Sequence, residues 1–257
     1  MSTALELTNL CKTYVANKRQ NHVLKNVCMT IEQGEMAAVM GPSGAGKTTL
    51  LHAISSIERP TAGRVIFFGK DITGLKEKKL SDIRLKEMGF VFQDMYMLRN
   101  LTVEDNILLP GYQAAKEKGV EGRQKIDERC CELMSKMGID KIATHDITEI
   151  SGGEMQRACI CRSLINSPKM IFADEPTGSL NKKASNGVIE ELLRVNREGT
   201  TIMLVTHDVR VAAACDRVLY IIDGQIPDDY ELGKYEGGRI LRERERELNT
   251  WLLDLGW

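Results

Sequence analysis

The sequence predicts an α/β fold with a mostly parallel sheet, and two observations lead to that prediction. Short apolar runs that suit buried strands alternate with longer segments of helical periodicity. The runs Met36–Met40, Met170–Ala173 and Ile202–Val205 are each followed directly by glycine or polar residues. Because ligands bind at the carboxyl ends of the strands in open α/β sheets, we expect the functional residues at that edge.

The segments around this core are predicted from their own patterns. Residues 4–35 alternate apolar and polar side chains, which indicates an N-terminal antiparallel β subdomain. A helical subdomain is expected over about 94–166, and strand–helix alternation resumes over 169–222. We therefore predict one domain over 1–227. A charged C-terminal extension follows over 228–257, where Arg-Glu repeats favour a solvated helix.

The composition limits the classes of function. A chain of 257 residues can bury a full core in one domain with a subdomain. Lys and Arg number 35 and Asp and Glu 36, so the net charge of −1 gives no reason to expect nucleic acid as a partner. Seven cysteines without metal-ligand spacing or a secretory signal favour reduced thiols in the cytoplasm. No apolar run reaches the roughly 18 residues that indicate a membrane-spanning helix.

The glycine-rich turn after the first of these buried strands carries the clearest chemistry. It precedes a helix predicted over Lys47–Ile57. Glycines let several backbone N–H groups face a polyphosphate, and the helix N-terminus adds partial positive charge. Lys47 is expected to reach the β- and γ-phosphates, and the Thr48 hydroxyl to ligate Mg²⁺. The sequence therefore predicts a P-loop NTPase core that binds ATP and Mg²⁺; the alternative is a glycine-rich turn with a chance lysine. The phosphate-binding candidates are Gly41, Pro42, Ser43, Gly44, Ala45, Gly46, Lys47, Thr48 and Thr49.

Two carboxylates follow the apolar run that ends at Ala173. Asp174 is placed to hold Mg²⁺, directly or through water, and Glu175 to polarise the attacking water. The alternative is a solvated strand end. The P-loop earlier in the chain favours the functional interpretation.

Taken together, these residues resemble the ATP-binding subunits of ABC transporters, over about residues 3–226. The resemblance implies an ABC ATPase fold and ATP hydrolysis coupled to transport. It implies that Tyr14 stacks on adenine, and that Gln93 senses Mg²⁺ and the attacking water. His207 matches the switch histidine that contacts the γ-phosphate. The implied catalytic residues are Glu175, His207 and Gln93, and the implied metal ligands are Thr48, Gln93 and Asp174.

The family's signature motif is matched by Ser151, Gly152, Gly153 and Glu154, with glutamate where glutamine is more usual. We expect Ser151 to be both a helix N-cap and a phosphate site, since a helix N-terminus binds anions through the same groups. The simpler alternative is an N-cap alone. Tyr14 has the alternative of an edge-strand aromatic, Gln93 of a strand-end polar residue, and His207 of a hydrogen-bonded core histidine.

The resemblance also implies two protein partners. The signature of one chain would face the P-loop phosphate of a second, so two identical chains would pack head to tail around two ATP molecules and open after hydrolysis. A membrane-spanning permease is the other partner, which would hold the chain peripherally on the cytoplasmic face of the cell membrane. The docking groove is expected over Asp94–Pro110, where flexible methionines suit a partner helix. The alternative there is core packing.

A narrower resemblance is to the exporter subgroup of lipoprotein-release, macrolide-efflux and peptide-antibiotic resistance ATPases. It rests on Glu175–Asn181, Phe92–Asp94 and Leu101–Ile107. Asn181 stands where the family usually has aspartate, so communication between two ATP sites is expected to weaken. Residues 248–257 resemble tails of the peptide-resistance branch, and their tryptophans predict that they fold back onto an apolar surface or onto the membrane partner. The alternative function is a soluble or signalling ABC ATPase that dimerises on ATP without transport.

Overall fold

The computed structural model describes residues 2–16, 19–235 and 240–257. Within them the chain forms ten strands and eight α-helices. The strands are β1 Thr3–Ala16, β2 Arg19–Glu32, β3 Met36–Met40, β4 Ala62–Phe67, β5 Lys70–Asp71, β6 Met88–Phe92, β7 Met170–Asp174, β8 Thr201–Val205, β9 Arg217–Ile222 and β10 Gln225–Glu231. The helices are α1 Lys47–Ile54, α2 Glu77–Glu87, α3 Val103–Ala114, α4 Gly119–Lys136, α5 Gly152–Leu164, α6 Lys182–Arg197, α7 Val209–Ala212 and α8 Ile240–Asp254.

The chain divides into two compact units. The first unit joins Met1–Leu80 with Val195–Trp257 and contains an antiparallel sheet with the strand order β2-β1-β4-β5. This sheet confirms the predicted N-terminal β subdomain. In the same unit β3 pairs in parallel with β8 on one side and β9 on the other, and β10 adds to β9 in the antiparallel sense.

Strand β3 is the centre of the first unit. All residues of β3 and β8 are buried, as expected for parallel strands covered on both faces. Val39 of β3 lies opposite Val205 of β8, and the Thr206 amide donates to the Val39 carbonyl over 3.2 Å. This register brings the residues that follow the two strands to the same edge of the sheet.

The second unit, Ser81–Arg194, pairs β6 with β7 in parallel and packs α3, α4 and α5 against one another. Phe90 of β6 stacks on Phe172 of β7 with the ring centroids 5.8 Å apart. The three helices lie within the segment that the sequence assigned to a helical subdomain. The mixture of strands and helices confirms the predicted α/β class.

Helix α1, which follows the glycine-rich turn, is shorter than the predicted helix over Lys47–Ile57. It ends at Ile54, and the Ser55 hydroxyl donates to the Leu51 carbonyl over 2.7 Å. Ser56 then takes a positive φ of 59°, which a continuing helix cannot accommodate. The sequence pattern did not predict this end, because the apolar Ile57 also fits a helix that continues.

The C-terminal tail folds back onto the first unit, as its tryptophans predicted. Leu248 and Leu252 of α8 are fully buried. The Trp251 ring packs against Tyr220 at 6.1 Å and against Tyr230 at 5.4 Å between centroids. The tail therefore joins the apolar surface beside β9.

The Arg-Glu repeats do form a helix, but the expectation that the whole repeat is solvated is wrong at one position. Arg242, Glu243, Arg246 and Glu247 are exposed, whereas Arg244 is only 6% exposed. Its guanidinium can be buried because it donates hydrogen bonds to several backbone carbonyls that surround it. Charge alternation along a sequence does not report such a cluster.

The predicted boundary at residue 228 falls inside strand β10. Residues 236–239 of the predicted extension lie outside the described residues. The division into a common domain over 1–227 and an extension over 228–257 therefore remains a prediction. Among the residues that the structure describes, no helix is both long and apolar enough to cross a membrane.

The packing of the tail predicts unequal quenching of the two tryptophans by iodide. Trp251 is half-buried between two tyrosines and donates its indole N–H to Asp228 over 3.0 Å, whereas Trp257 is 38% exposed. In the single-tryptophan variants Trp257→Phe and Trp251→Phe, we expect weaker quenching of Trp251 than of Trp257. The urea-unfolded variants are the control and should quench equally. Equal quenching in the folded proteins would contradict the docked tail.

Candidate functional site

The turn after β3 depends on a close approach of two backbones. A Cβ atom at Gly41 would overlap the carbonyl oxygen of Ile221 in the neighbouring strand β9, so a larger residue does not fit there. Gly44 and Gly46 have φ of +79° and +104°, in the left-handed region that favours glycine. Glycine is therefore required both to leave the strand and to enter the following helix.

The N-terminus of α1 fits a phosphate group. Gly46 is the N-cap, and among the described residues no side chain caps it and no acidic residue lies in the first turn. With no carboxylate in that turn, the helix dipole favours an anion at this end. The Lys47 ammonium donates to the Gly41 carbonyl over 2.7 Å and to the Pro42 carbonyl over 3.0 Å. The cation thus lies over the turn that would hold the phosphates.

Tyr14 lies beside the start of α1, where the sequence predicted an adenine-stacking residue. Its hydroxyl donates to Glu58 over 2.6 Å, and its side chain is hydrogen-bonded to Thr49. Burial and the Glu58 carboxylate raise the pKa of Tyr14. The Lys12 ammonium stands 4.9 Å from the ring centroid, so a nucleobase would have to use the opposite face of the ring.

His207 follows β8 at the same sheet edge as the P-loop. It is exposed, so the alternative of a core histidine is wrong. Next to it, the Asp208 amide donates to the Thr206 hydroxyl over 3.0 Å, and the Asp208 carboxylate accepts from the Arg210 amide over 2.8 Å as the N-cap of α7. The histidine is therefore carried by a short, capped turn.

In the second unit, the ends of β6 and β7 bring Gln93 and Glu175 together. Phe92 pairs with Asp174, so the next residue of each strand reaches the same edge. A Cβ atom at Gly178 would lie 3.3 Å from the Gln93 amide nitrogen and 3.5 Å from Glu175 Cβ. Glu175 has a φ of 47°, an unfavourable conformation for a side-chain-bearing residue. Asp174 and Glu175 are half-buried, which argues against an ordinary solvated strand end.

The predicted metal ligands have the chemistry that Mg²⁺ prefers. Thr48, Gln93 and Asp174 offer hydroxyl, carboxamide and carboxylate oxygens. In the described part of the chain, no three His, Cys, Asp or Glu side chains cluster so that they could hold a metal ion. A bound Mg²⁺ would therefore complete its oxygen shell with phosphate and water, as this ion commonly does.

The signature residues form a capping box at the start of α5. The Glu154 amide donates to the Ser151 hydroxyl over 3.4 Å, and the Ser151 amide and hydroxyl donate to the Glu154 carboxylate over 2.9 and 2.6 Å. This confirms Ser151 as an N-cap. Ser151 and Gly152 are exposed, so the helix N-terminus remains accessible to an anion. The phosphate role of the signature stays a prediction.

An open cavity of about 700 Å³ lies in front of the signature. Its lining includes Ser151, Gly153, Arg157, Asn181, Lys183 and Glu190. The Asn181 side-chain oxygen accepts from the Ala184 amide over 3.0 Å, so Asn181 caps α6. Aspartate could make the same cap while adding a charge. Two helix N-termini, those of α5 and α6, therefore border one cavity.

Several residues near these groups were not found from the sequence. Lys12 and Glu58 orient Tyr14, and Arg157 and Lys183 add cations to the cavity at the signature. The local pattern does not mark them, because charged residues are common on exposed surfaces and Glu58 is distant from Tyr14 along the chain. Gly178 had a usable signal, since a glycine soon after the acidic strand end indicates a tight turn.

Known proteins match this chain over most of its length. The sequence model of the family described as ABC transporter matches residues 24–178. The lipoprotein-releasing system ATP-binding protein LolD of Syntrophotalea carbinolica is 42% identical over 223 residues, 86% of this chain and 96% of the relative. The bacitracin export ATP-binding protein BceA of Halalkalibacterium halodurans is 42% identical and is matched over 86% of each chain. The ABC transporter ATP-binding protein YxdL of Bacillus subtilis is 41% identical over 91% of this chain and 89% of the relative.

Solved structures give the same result. A dimeric structure of the ATP-binding cassette MJ0796 in a post-hydrolysis state, bound to ADP and Pi, aligns with a TM-score of 0.81 at 34% identity. The alignment covers 90% of this chain and all of that one. A second dimeric structure of MJ0796, described as a bacterial ABC transporter cassette, aligns with a TM-score of 0.80 at 35% identity and the same coverage.

The capping box predicts a pH-dependent helix N-terminus. The hydrogen bonds from Ser151 lower the pKa of Glu154 below its usual range. The stabilisation they provide is therefore complete above the pKa of an unfolded glutamate and is lost as the pH falls through the lowered value. In Ser151→Ala, carbon NMR titration should show a Glu154 pKa moved up towards the ordinary value, with about 0.5–2 kcal/mol less stability from the lost cap. Ser135→Ala, on the exposed face of α4, is the control. An unchanged Glu154 titration in Ser151→Ala would contradict the capping box.

Proposed function

The chain belongs to the ABC transporter family, and on that premise we propose that it works as a head-to-tail pair of identical ATPase subunits beneath a membrane-spanning permease. The chain is an ATP-binding, ATP-hydrolysing transporter subunit. The observation that carries the proposal is that one chain has two separate helix N-termini with the motifs of a phosphate site, at Gly46 in one compact unit and at Ser151 in the other. Each can serve one side of a shared nucleotide.

In the proposed mechanism, each residue at the strand ends has a separate role in ATP hydrolysis. Glu175 polarises the attacking water as general base, from the position where the chain turns away from β7 with a φ of 47°. Gln93, beside it, orients the same water and senses the metal. His207 contacts the γ-phosphate, and Asp174 and Thr48 hold Mg²⁺. When bound, Mg²⁺ neutralises charge on the phosphates and the leaving group.

The P-loop and Tyr14 bind the nucleotide of the same chain. The amides of residues 41–48 and the Lys47 ammonium hold the phosphates, and the Tyr14 ring stacks on adenine through the face away from Lys12. The signature, residues 151–154, receives the phosphate bound to the partner's P-loop. The dimeric form of both MJ0796 structures supports this pairing.

The segment Asp94–Pro110 docks on the permease, which holds the chain peripherally on the cytoplasmic face of the membrane. Tyr96 is 64% exposed and Leu98 46%, so two large apolar side chains of the loop before α3 are open to a partner. Met95 is instead buried, with 8% exposure, so its role is core packing. Arg162 fixes the segment by donating to the Tyr96 carbonyl over 2.8 Å. The loop thus presents a braced apolar surface to a partner helix.

The cargo proposed for the complex is an amphiphile, either an antimicrobial peptide or a lipoprotein. The names of LolD, for lipoprotein release, and BceA, for bacitracin export, support this choice. In this proposal the permease selects between them, because the transmembrane partner forms the path that the cargo takes. The domain of residues 1–227 supplies the motor, and the extension over 228–257 is additional to it.

Glu175→Gln should bind ATP and hydrolyse it about 10²- to 10⁴-fold more slowly, because the amide keeps the shape and removes the base. The trapped protein should elute as an ATP-dependent dimer in size-exclusion chromatography. Glu128→Gln, an exposed change on α4, should retain the parent rate. Full activity of Glu175→Gln, with a monomer profile in saturating ATP, would overturn the role of Glu175.

Ser151→Arg separates the trans arrangement from a site within one chain. If the signature faces the partner's nucleotide, the variant should bind ATP as a monomer with nearly parental affinity and fail to form the ATP-dependent dimer. Ser135→Arg adds the same charge on an exposed face of α4 and should leave both properties unchanged. Equilibrium binding of a fluorescent ATP analogue and sedimentation measure them. Loss of monomer affinity in Ser151→Arg alone would show that the signature acts within its own chain.

A further inference from the structure

Arg244 joins the C-terminal helix to the turn that follows α7. Its Nε donates to the Ala213 carbonyl over 2.7 Å, and its Nη2 donates to the Cys215 carbonyl. The same guanidinium donates to the Leu232 and Gly233 carbonyls, each over 3.0 Å. Arginine suits this place because its planar fork can satisfy several carbonyls at once. One buried side chain therefore ties together three parts of the first unit.

The burial of this cation is balanced by polar contacts. Burial lowers the pKa of Arg244, and the nearby Asp216 carboxylate opposes that effect. The Tyr235 ring also lies 5.5 Å from the guanidinium carbon. Removing the guanidinium would leave the Ala213 and Cys215 carbonyls, whose bonds to Arg244 are buried, without this donor.

Helix α7 depends on tertiary contacts for its position. It spans only Val209–Ala212, too short for a helix to persist in water without tertiary contacts. Its first turn is capped by Asp208, and its last residues meet the Arg244 cluster at Ala213. His207 lies between the buried Thr206, which follows β8, and the Asp208 cap, so the placement of α7 fixes the second of its two sides.

Helix α8 provides a fixed base for Arg244. Leu248 and Leu252 are fully buried one and two turns further along. Trp251 packs on Tyr220 and donates to Asp228. The described contacts of α8 are with its own compact unit, so Arg244 acts from an anchored helix.

We propose that Arg244 is a positioning residue for His207: it holds the end of α7 and thereby keeps the histidine at the sheet edge beside the P-loop. The proposal rests on the role of His207 given under the proposed function. It assigns a catalytic duty to the C-terminal extension, whose helix supplies Arg244. The effect falls on turnover rather than on ATP affinity, because Arg244 contacts neither the P-loop nor Tyr14 in the described structure.

The test compares Arg244→Met with Arg246→Met, an exposed arginine on the same helix. We expect Arg244→Met to lower kcat roughly tenfold, the effect of one misplaced transition-state contact, with KM for ATP unchanged. Arg246→Met should keep both parameters. Arg244→Lys, which retains a cation without the fork, should give an intermediate kcat.

The imidazole resonances of His207 report its position directly. The chain has four histidines, and His207→Ala identifies the signal. Arg244→Met should shift or broaden that signal and leave the others sharp, whereas Arg246→Met should change none. An unaltered His207 signal, or equal changes in kcat and KM, would overturn the proposal. If Arg244→Met does not fold, with all histidine signals collapsed, the same comparison is made with Arg244→Lys.

The failure of the underlying function is distinguishable. Full turnover of His207→Ala would show that His207 has no catalytic role, and the proposal for Arg244 would fall with it. A dead His207→Ala with parental kcat in a folded Arg244→Met would leave the function intact and overturn the positioning role alone.

Discussion

The close approach of the backbone after β3 to the backbone of β9 is the constraint on which the first unit depends. At Gly41 the two chains leave no room for a side chain, so the loop must begin with glycine and curl over the strand end. The helix N-terminus at Gly46 and the ammonium of Lys47 then meet at that edge. The rings of Trp251 and Trp257 pack on Tyr220 of the same strand, β9. The C-terminal tail therefore stabilises the strand that the start of the P-loop contacts.

In the second unit the chain also turns sharply at the end of a strand, but there the turning residue carries a side chain and its backbone is strained. Glu175 turns the chain away from β7 in the left-handed region, where a residue with a side chain loses about 1–3 kcal/mol. Glycine would turn there without that cost but would carry no carboxylate. The residues of β7 before Asp174 are fully buried and can offset the strain. The conformation is therefore consistent with a position selected for its chemistry, as the proposed base requires.

The sequence predicted the features that depend on neighbouring residues and missed those that depend on residues far apart in the chain. The P-loop, the buried runs β3 and β8 and the Ser151 cap depend on neighbours in sequence, so their patterns were sufficient. The Arg244 cluster was missed because its carbonyls come from Ala213, Cys215 and the segment after β10, and no local periodicity reports them. The orientation of Tyr14 was missed for the same reason, since Glu58 is distant along the chain.

The two positions at which the sequence departs from the pattern of the family it resembles, 154 and 181, both belong to helix starts in the second unit. Glutamate in place of glutamine at 154 adds one negative charge, and asparagine in place of aspartate at 181 removes one. Each residue belongs to the capping of a helix, α5 for Glu154 and α6 for Asn181, and the starts of both helices border the same space. The Glu154 carboxylate is held by Ser151, next to the amides that would meet a phosphate. At residue 181, which lines the cavity, asparagine provides the helix cap without placing a negative charge next to an entering anion.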